Sequence, residues 1–372
     1  MVVRLTQIQR IGALIVFLAA PVLAAGQEWV SSRGAYRDAL GTSLNNYMLG
    51  IENEGFSGAL LVERNGEIVI ASGYGWSHRE SQRMFTRDTV FDIGSITKQF
   101  TAAGIMKLQE AGKLDAQDAL GKFLPNVPPD KRSITLHHLL THSSGMRDIF
   151  GADYSVISRD DFLALALASE LRSEPGTRYR YSNAGYSVLG AVIEIVSGEP
   201  YEQFLFKQLF EPSGMLATGY KIPARDRENI VHLYEDGKDW GTMLDHAWLP
   251  DGPGWHLRCN GGILSTLEDL RKWHHALLDN SVLTGASAEL MFGNHVREMP
   301  DREVYYGYGW SVLDTPRGTR LITHNGGNGL FTTDFRRYMD ENTLVLMTSS
   351  VAERNLEKYE KKMLEIVFPP AK

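Results

Sequence analysis

Thr89-Val90-Phe91-Asp92-Ile93-Gly94-Ser95-Ile96-Thr97-Lys98 is the stretch from which the rest of the chain can be read. Thr89 to Ile93 is strand-like, Gly94-Ser95 closes it, and apolar residues then recur with helical spacing at Ile96, Phe100, Ala103 and Leu108, up to a stop at Gly112. Residues three apart lie on one helix face, so the Ser95 hydroxyl and the Lys98 amine are expected one turn apart. A serine at a helix start also sits beside unpaired backbone N–H groups, which favour a developing negative charge. An S-x-x-K taken alone turns up by chance about once in a chain of this size and composition.

Two later segments give it meaning. Glu174-Pro175-Gly176 reads as a turn, after which Tyr181-Ser182-Asn183 stands where a loop enters a helix expected over Tyr186 to Val196. His324-Asn325-Gly326 follows the strand-like run Arg320 to Thr323 and leads into Gly327 and Gly329, whose missing side chains let a ligand approach the backbone. A serine hydroxyl needs a neighbouring base to become a nucleophile. A lysine can serve once burial and donor neighbours lower its pKa. Tyr181 can share the proton traffic, and the Asn183 amide can orient both Lys98 and a substrate carbonyl.

With these motifs in place the chain resembles the serine β-lactamase and penicillin-binding protein superfamily, and most of all its class C β-lactamase-like branch of D-peptidases and esterases. That branch carries Y-x-N and H-x-G at its second and third motifs, as Tyr181-Ser182-Asn183 and His324-Asn325-Gly326 do here. Leu139 to Met146, Pro175-Gly176 and Gly261 to Thr266 are similar to its framing segments, and the likeness runs from about Gly58 to the last helix. It implies that Ser95 is the acylated nucleophile, Lys98 and Tyr181 the proton-transfer partners and His324 a hydrogen-bonding and electrostatic group on the strand that walls the site. Asn183, Asn325 and Gly326 are implied as substrate contacts, and the backbone N–H groups of Ser95 and Gly327 as the oxyanion hole. His142, in the framing segment, is expected to fix a turn.

The remaining sequence sets the frame. Tyr36 to Glu52 reads as a helix, and Ser57 to Val62 and Glu67 to Ala71 flank the hairpin signal Asn65-Gly66. Tyr308 to Leu313, Arg320 to Thr323, Leu330 to Tyr338 and Thr343 to Thr348 read as strands, and Asn355 to Val367 as a closing helix. Strand signals thus sit at both ends and helical ones between. The expected fold is α/β of the α+β type: one antiparallel sheet from both chain ends, flanked by helices, with a mostly helical half inserted, as in the β-lactamase/transpeptidase-like architecture. The boundaries are a sheet half of about residues 26–84 and 291–372 and a helical half of about 85–290, in a single catalytic domain.

Composition narrows the function. With 43% hydrophobic and 22% charged residues the chain can bury a large core, and a net charge of −7 with no basic run argues against nucleic acid as a partner. Arg4 and Arg10 precede the apolar run Ile11 to Leu23, which ends in small residues; residues 1–25 therefore read as a secretory signal peptide and the protein as periplasmic or secreted, with membrane attachment only if that segment stays uncleaved. Cys259 is the single cysteine, which excludes an internal disulfide. His137-His138 and His274-His275 lack the accompanying ligands of a metal centre, so neither a metal nor a cofactor is expected.

The reaction expected is hydrolysis of an ester or amide in a small molecule or peptide through a Ser95 acyl-enzyme. His324 and Asn325 replace the lysine and hydroxyl residue of the K-T-G motif, which favours an esterase or D-amino-acid peptidase. A class C-like β-lactamase and a slowly deacylating penicillin-binding or cell-wall sensor protein are the alternatives, ahead of a non-catalytic scaffold. Alternating aromatics at Tyr305, Tyr306, Tyr308 and Trp310 are expected in the core, with pocket lining as the other possibility.

Overall fold

Residues 28–224, 226–351 and 356–369 are described by the computed structural model; the expected signal segment lies outside them. One ten-stranded antiparallel sheet carries the molecule. Its order is Glu28–Ser31, Gly34–Arg37, Glu67–Tyr74, Gly58–Arg64, Thr343–Ser349, Thr332–Tyr338, Arg320–Gly327, Ser311–Asp314, Val304–Tyr306, Val296–Arg297. The two ends of the chain meet where Gly58–Arg64 pairs with Thr343–Ser349, with Leu61 opposite Leu346. Among the described residues, none between 85 and 290 joins this sheet.

The pairing partners at that seam are apolar on both faces, because side chains alternate along a strand and both faces are covered. Leu60, Val62, Val345 and Met347 point to one side, where they pack with Leu44, Met48 and Ile51 of the helix Asp38–Glu52 and Met363 and Val367 of the helix Leu356–Val367. Ala59, Leu61, Leu344 and Leu346 point to the other side and join a larger core. That core takes in the helices Thr97–Glu110, Asn183–Ser197 and Leu267–Leu278. Eleven residues of Thr97–Glu110 are buried, so this helix is the axis of the inserted half.

Several boundaries differ from expectation for local reasons. The first helix starts at Asp38, not Tyr36, because Gly34–Arg37 is drawn into the sheet beside Glu67–Tyr74 and the Asp38 carboxylate then accepts from the Gly41 amide at 2.9 Å, closing the first turn. Gly309, at φ +79°, breaks the run expected over Tyr308 to Leu313, leaving Ser311–Asp314 as the strand. The strand expected to end at Thr323 continues through His324 to Gly327, paired residue by residue with Thr332–Phe335.

Candidate active site

Ser95 lies in a 3-10 turn, Gly94–Ile96, that feeds directly into the helix Thr97–Glu110. The turn is possible because Gly94 adopts φ +50°, a left-handed conformation that a side chain disfavours. Its position is fixed from both sides. Phe91–Asp92 pairs with Leu264–Ser265, Ile93 N donates to Ile263 O at 3.1 Å, and Gly94 N donates to the Asp92 carboxylate at 2.7 Å. On the sheet side, Gly326 packs so closely that a Cβ there would stand 2.1 Å from Ile93 O and 2.5 Å from Ser95 N. A Cβ on Gly94 would stand 2.6 Å from Gly327 N, so the Ser95 and Gly327 amides expected to hold an oxyanion are brought to the same corner of the site.

Lys98 is fully buried. Its Nζ lies 2.9 Å from Ser95 Oγ, 2.7 Å from Asn183 Oδ1 and 2.7 Å from the backbone O of Asn260. The last two groups can only accept, whereas a hydroxyl can donate. A neutral amine satisfies all three: two N–H groups go to the oxygens of Asn183 and Asn260, and its lone pair receives the Ser95 O–H. Burial is also what lowers the Lys98 pKa to about 7, against the opposing pull of Asp148 and Asp153.

Tyr181 stands just before the helix Asn183–Ser197, whose Ser182 cap accepts from Gly185 N. Burial drives its phenol well above the ordinary range, against the opposing effect of Ser95, so it rests protonated, and it lines the same cavity as Ser95. The Lys98 Nζ lies 4.8 Å from the centre of the Tyr181 ring. His142 holds this segment in place: at φ +55° it accepts from Ser182 N at 3.0 Å through Nδ1 and packs its ring 4.2 Å from that of Tyr181.

His324 faces them from the sheet. Its Nδ1 donates to the carbonyl of Asn325 at 2.6 Å, so Nε2 is the acceptor of the Tyr306 hydroxyl at 2.9 Å. Burial, reinforced by Lys98, lowers its pKa to about 4, and the ring is therefore uncharged at neutral pH. Its hydrogen-bonding capacity is turned towards the protein, and the strand and ring shape the cavity wall. Ser95, Tyr181, His324, Asn325, Gly326 and Gly327 all line one cavity of about 520 Å³, which also exposes Glu298 and Arg336.

Three groups that the motifs did not reveal complete the arrangement. Asp148 accepts from both the backbone N and the Nδ2 of Asn183, at 2.8 and 3.0 Å, and so turns the Asn183 Oδ1 towards Lys98. Asn260 contributes a backbone oxygen, and its own amide is anchored to Ser187 Oγ and His256 O. Tyr306, one of the alternating aromatics, is buried yet lines the cavity and positions His324; Tyr308 bonds His137 and Trp310 packs on Phe335. The adjacent histidine pairs have structural partners: His138 caps a short helix, His274 accepts from Arg337, and His275 meets Glu63.

The β-lactamase family model matches residues 50–366. The chain belongs to that family. Penicillin-binding protein 4* of Bacillus subtilis (strain 168) is 28% identical over 332 residues, spanning 84% of this chain and 72% of that protein. The octameric penicillin-binding protein homologue of Pyrococcus abyssi superposes with a TM-score of 0.75 at 26% identity, covering 88% of this chain and 77% of its own. The fold is shared with D-amino acid amidase of Ochrobactrum anthropi SV3 (TM-score 0.73, 22% identity, 87% and 98% covered) and with the hydrolase EstCE1 (0.75, 21%, 89% and 100%). The protein is thus of the β-lactamase-fold serine hydrolase family.

Proposed function

We propose that the protein hydrolyses esters or amides through an acyl-enzyme on Ser95, as an esterase or D-amino-acid peptidase acting outside the cytoplasm. The observation that carries this reading is the contact between Ser95 Oγ and a buried Lys98 amine whose pKa burial lowers to about 7. Lys98 takes the hydroxyl proton as Oγ bonds to the substrate carbonyl carbon. The oxyanion that forms is met by the N–H groups of Ser95 and Gly327. When the tetrahedral adduct collapses, the bond to the leaving group breaks and the leaving atom takes a proton from the Tyr181 phenol, which Lys98 restores. Water then repeats the sequence in the other direction, releasing the acid and free Ser95. Export rests on the apolar run Ile11 to Leu23 and its basic flank.

The choice of substrate follows from His324. A neutral ring whose two nitrogens are already engaged offers a lactam carboxylate little attraction, whereas neutral esters and amides need none. Purified mature protein should turn over short-chain p-nitrophenyl esters or C-terminally amidated D-alanyl peptides, and Ser95→Ala should abolish this. Preferred turnover of a chromogenic cephalosporin would instead identify a β-lactamase. Stoichiometric labelling by the cephalosporin without turnover would identify a slowly deacylating penicillin-binding protein, the reading that the likeness to penicillin-binding protein 4* favours.

A further inference from the structure

Away from the cleft, two imidazoles and two carboxylates converge from distant parts of the chain. His78 ends the strand Trp76–His78, His232 directly precedes Leu233–Glu235, and Asp239 lies in Lys238–Gly241, the other arm of that hairpin. The amide of His232 donates to Ser77 O at 2.8 Å, which ties the two histidine segments side by side. Their rings stack with centroids 3.8 Å apart and planes 16° from parallel. Both therefore present a nitrogen to the same carboxylate: His78 Nε2 is 3.6 Å from Asp239 Oδ2, and His232 Nδ1 is 3.0 Å from Asp239 Oδ1. Glu80 closes the group, with Oε2 at 3.3 Å from His78 Nε2. One ligand atom from each of His78, His232 and Asp239 fits within 4.8 Å of the others.

We infer that His78, His232 and Asp239, joined by Glu80, bind one divalent transition-metal ion of the zinc type. Zinc takes imidazole nitrogen and carboxylate oxygen at about 2.0–2.2 Å in tetrahedral sites, which places neighbouring ligand atoms about 3.3–3.6 Å apart. The 3.6 Å between His78 Nε2 and Asp239 Oδ2 falls in that range, and the 3.0 Å between His232 Nδ1 and Asp239 Oδ1 lies just below it. Two imidazoles argue against calcium and magnesium, which prefer oxygen, and the sole cysteine is buried elsewhere. The two carboxylates beside the rings supply negative charge that a divalent cation balances.

The supporting contacts are those a ligand set needs. Ser81 Oγ engages His78 Nδ1 at 2.8 Å and so aims Nε2 into the group, and the Tyr234 hydroxyl donates to Glu80 Oε2 at 2.6 Å while accepting from Arg79 N. The ion joins residues far apart in sequence and carries no step of the Ser95 reaction. Its effect is local stiffening: beside Asp239, the Trp240 ring lies 5.0 Å from that of Tyr154, and Tyr154 bonds Met243 at 3.1 Å. Tyr154 and Met243 line a small cavity next to Ser95. The site was not legible in the sequence because His78 stands about 150 residues from His232 and Asp239, so no ligand spacing marks it.

Full-length protein stripped with a chelator is titrated with Zn²⁺ by calorimetry and with Co²⁺ by visible absorption. One equivalent should bind with a dissociation constant below about 10 μM. His78→Ala and His232→Ala should each weaken binding by more than the roughly 10–100-fold that loss of an outer partner costs, and Ser81→Ala by about tenfold. No uptake of either ion by the wild-type protein overturns the proposal, as does one equivalent retained at full affinity by both histidine variants. Should a variant fail to fold by circular dichroism, anomalous scattering from wild-type crystals soaked in Zn²⁺ decides: a peak between His78, His232 and Asp239 supports the site, and its absence there overturns it.

Discussion

Lys98 sets the pH at which the serine can be activated. Only the uncharged amine can take a proton, and burial has brought its pKa down to about 7, so kcat/KM on a neutral ester should rise about tenfold per unit as pH increases below 7 and level off above it. His324, lowered to about 4, stays uncharged over this whole range and adds no second limb near neutrality. Lys98→Ala should lower kcat by roughly 10²–10⁴-fold and abolish the limb, whereas Tyr181→Phe should lower kcat by a similar factor and keep it, because the phenol remains protonated throughout. A pH–rate profile of the two variants checks both. For His324 the expected outcome is a kcat/KM on a short-chain ester at least about tenfold above that on a cephalosporin, roughly 1.4 kcal/mol in transition-state binding. His324→Lys should narrow that gap by supplying a charge for the anionic substrate. It also removes the acceptor of the buried Tyr306 hydroxyl, which costs about 1–3 kcal/mol of stability, measurable by urea denaturation.

At the level of elements, the site is the contact between one turn and one strand. The serine turn Gly94–Ile96 and the strand Arg320–Gly327 touch through glycines, and Gly326→Ala would drive a methyl group into Ile93 O and Ser95 N. Backbone has no rotamer with which to escape, so either the strand or the turn must move. We expect kcat/KM to fall at least about 10²-fold, since displacements near 1 Å at a reacting group cost that much, with the sheet still formed by circular dichroism. Asp148→Ala tests a different support. Without its two hydrogen bonds Asn183 can rotate its amide, Lys98 loses an acceptor, and the acidic limb of the pH profile should shift from its wild-type position. The motif residues were legible because the chemistry of Ser95, Lys98, Tyr181 and His324 resides in side chains whose spacing can be read. Asn260 was not legible because it acts through a backbone oxygen, and Asp148 was not because nothing in its neighbourhood distinguishes it from a surface carboxylate. The strand through His324 to Gly327 was underestimated since glycines weaken a strand on propensity, yet here a tertiary contact requires them.

For the whole molecule, stability and catalysis share one sheet. Its central seam, Gly58–Arg64 against Thr343–Ser349, buries both faces, and the assignment of strands to the two chain ends followed from apolar patterning and the Asn65-Gly66 turn. The last two strands of the sheet, Val296–Arg297 and Val304–Tyr306, were not legible as strands, being only two and three residues long. Leu346→Ala, at a position with no exposure, should destabilise the protein by about 2–5 kcal/mol in chemical denaturation while leaving kcat nearly unchanged under native conditions, because Leu346 packs beneath the sheet and lines no part of the cleft. A large loss of kcat in a folded Leu346→Ala protein would mean that the sheet does more than hold His324 in place. The central claim, that Lys98 makes Ser95 a nucleophile, is tested most directly by peptide mapping after treatment with a fluorophosphonate. The adduct is expected on Ser95 alone and is expected to be lost in folded Lys98→Ala; an adduct on another residue, or none on folded and active wild-type protein, would contradict it.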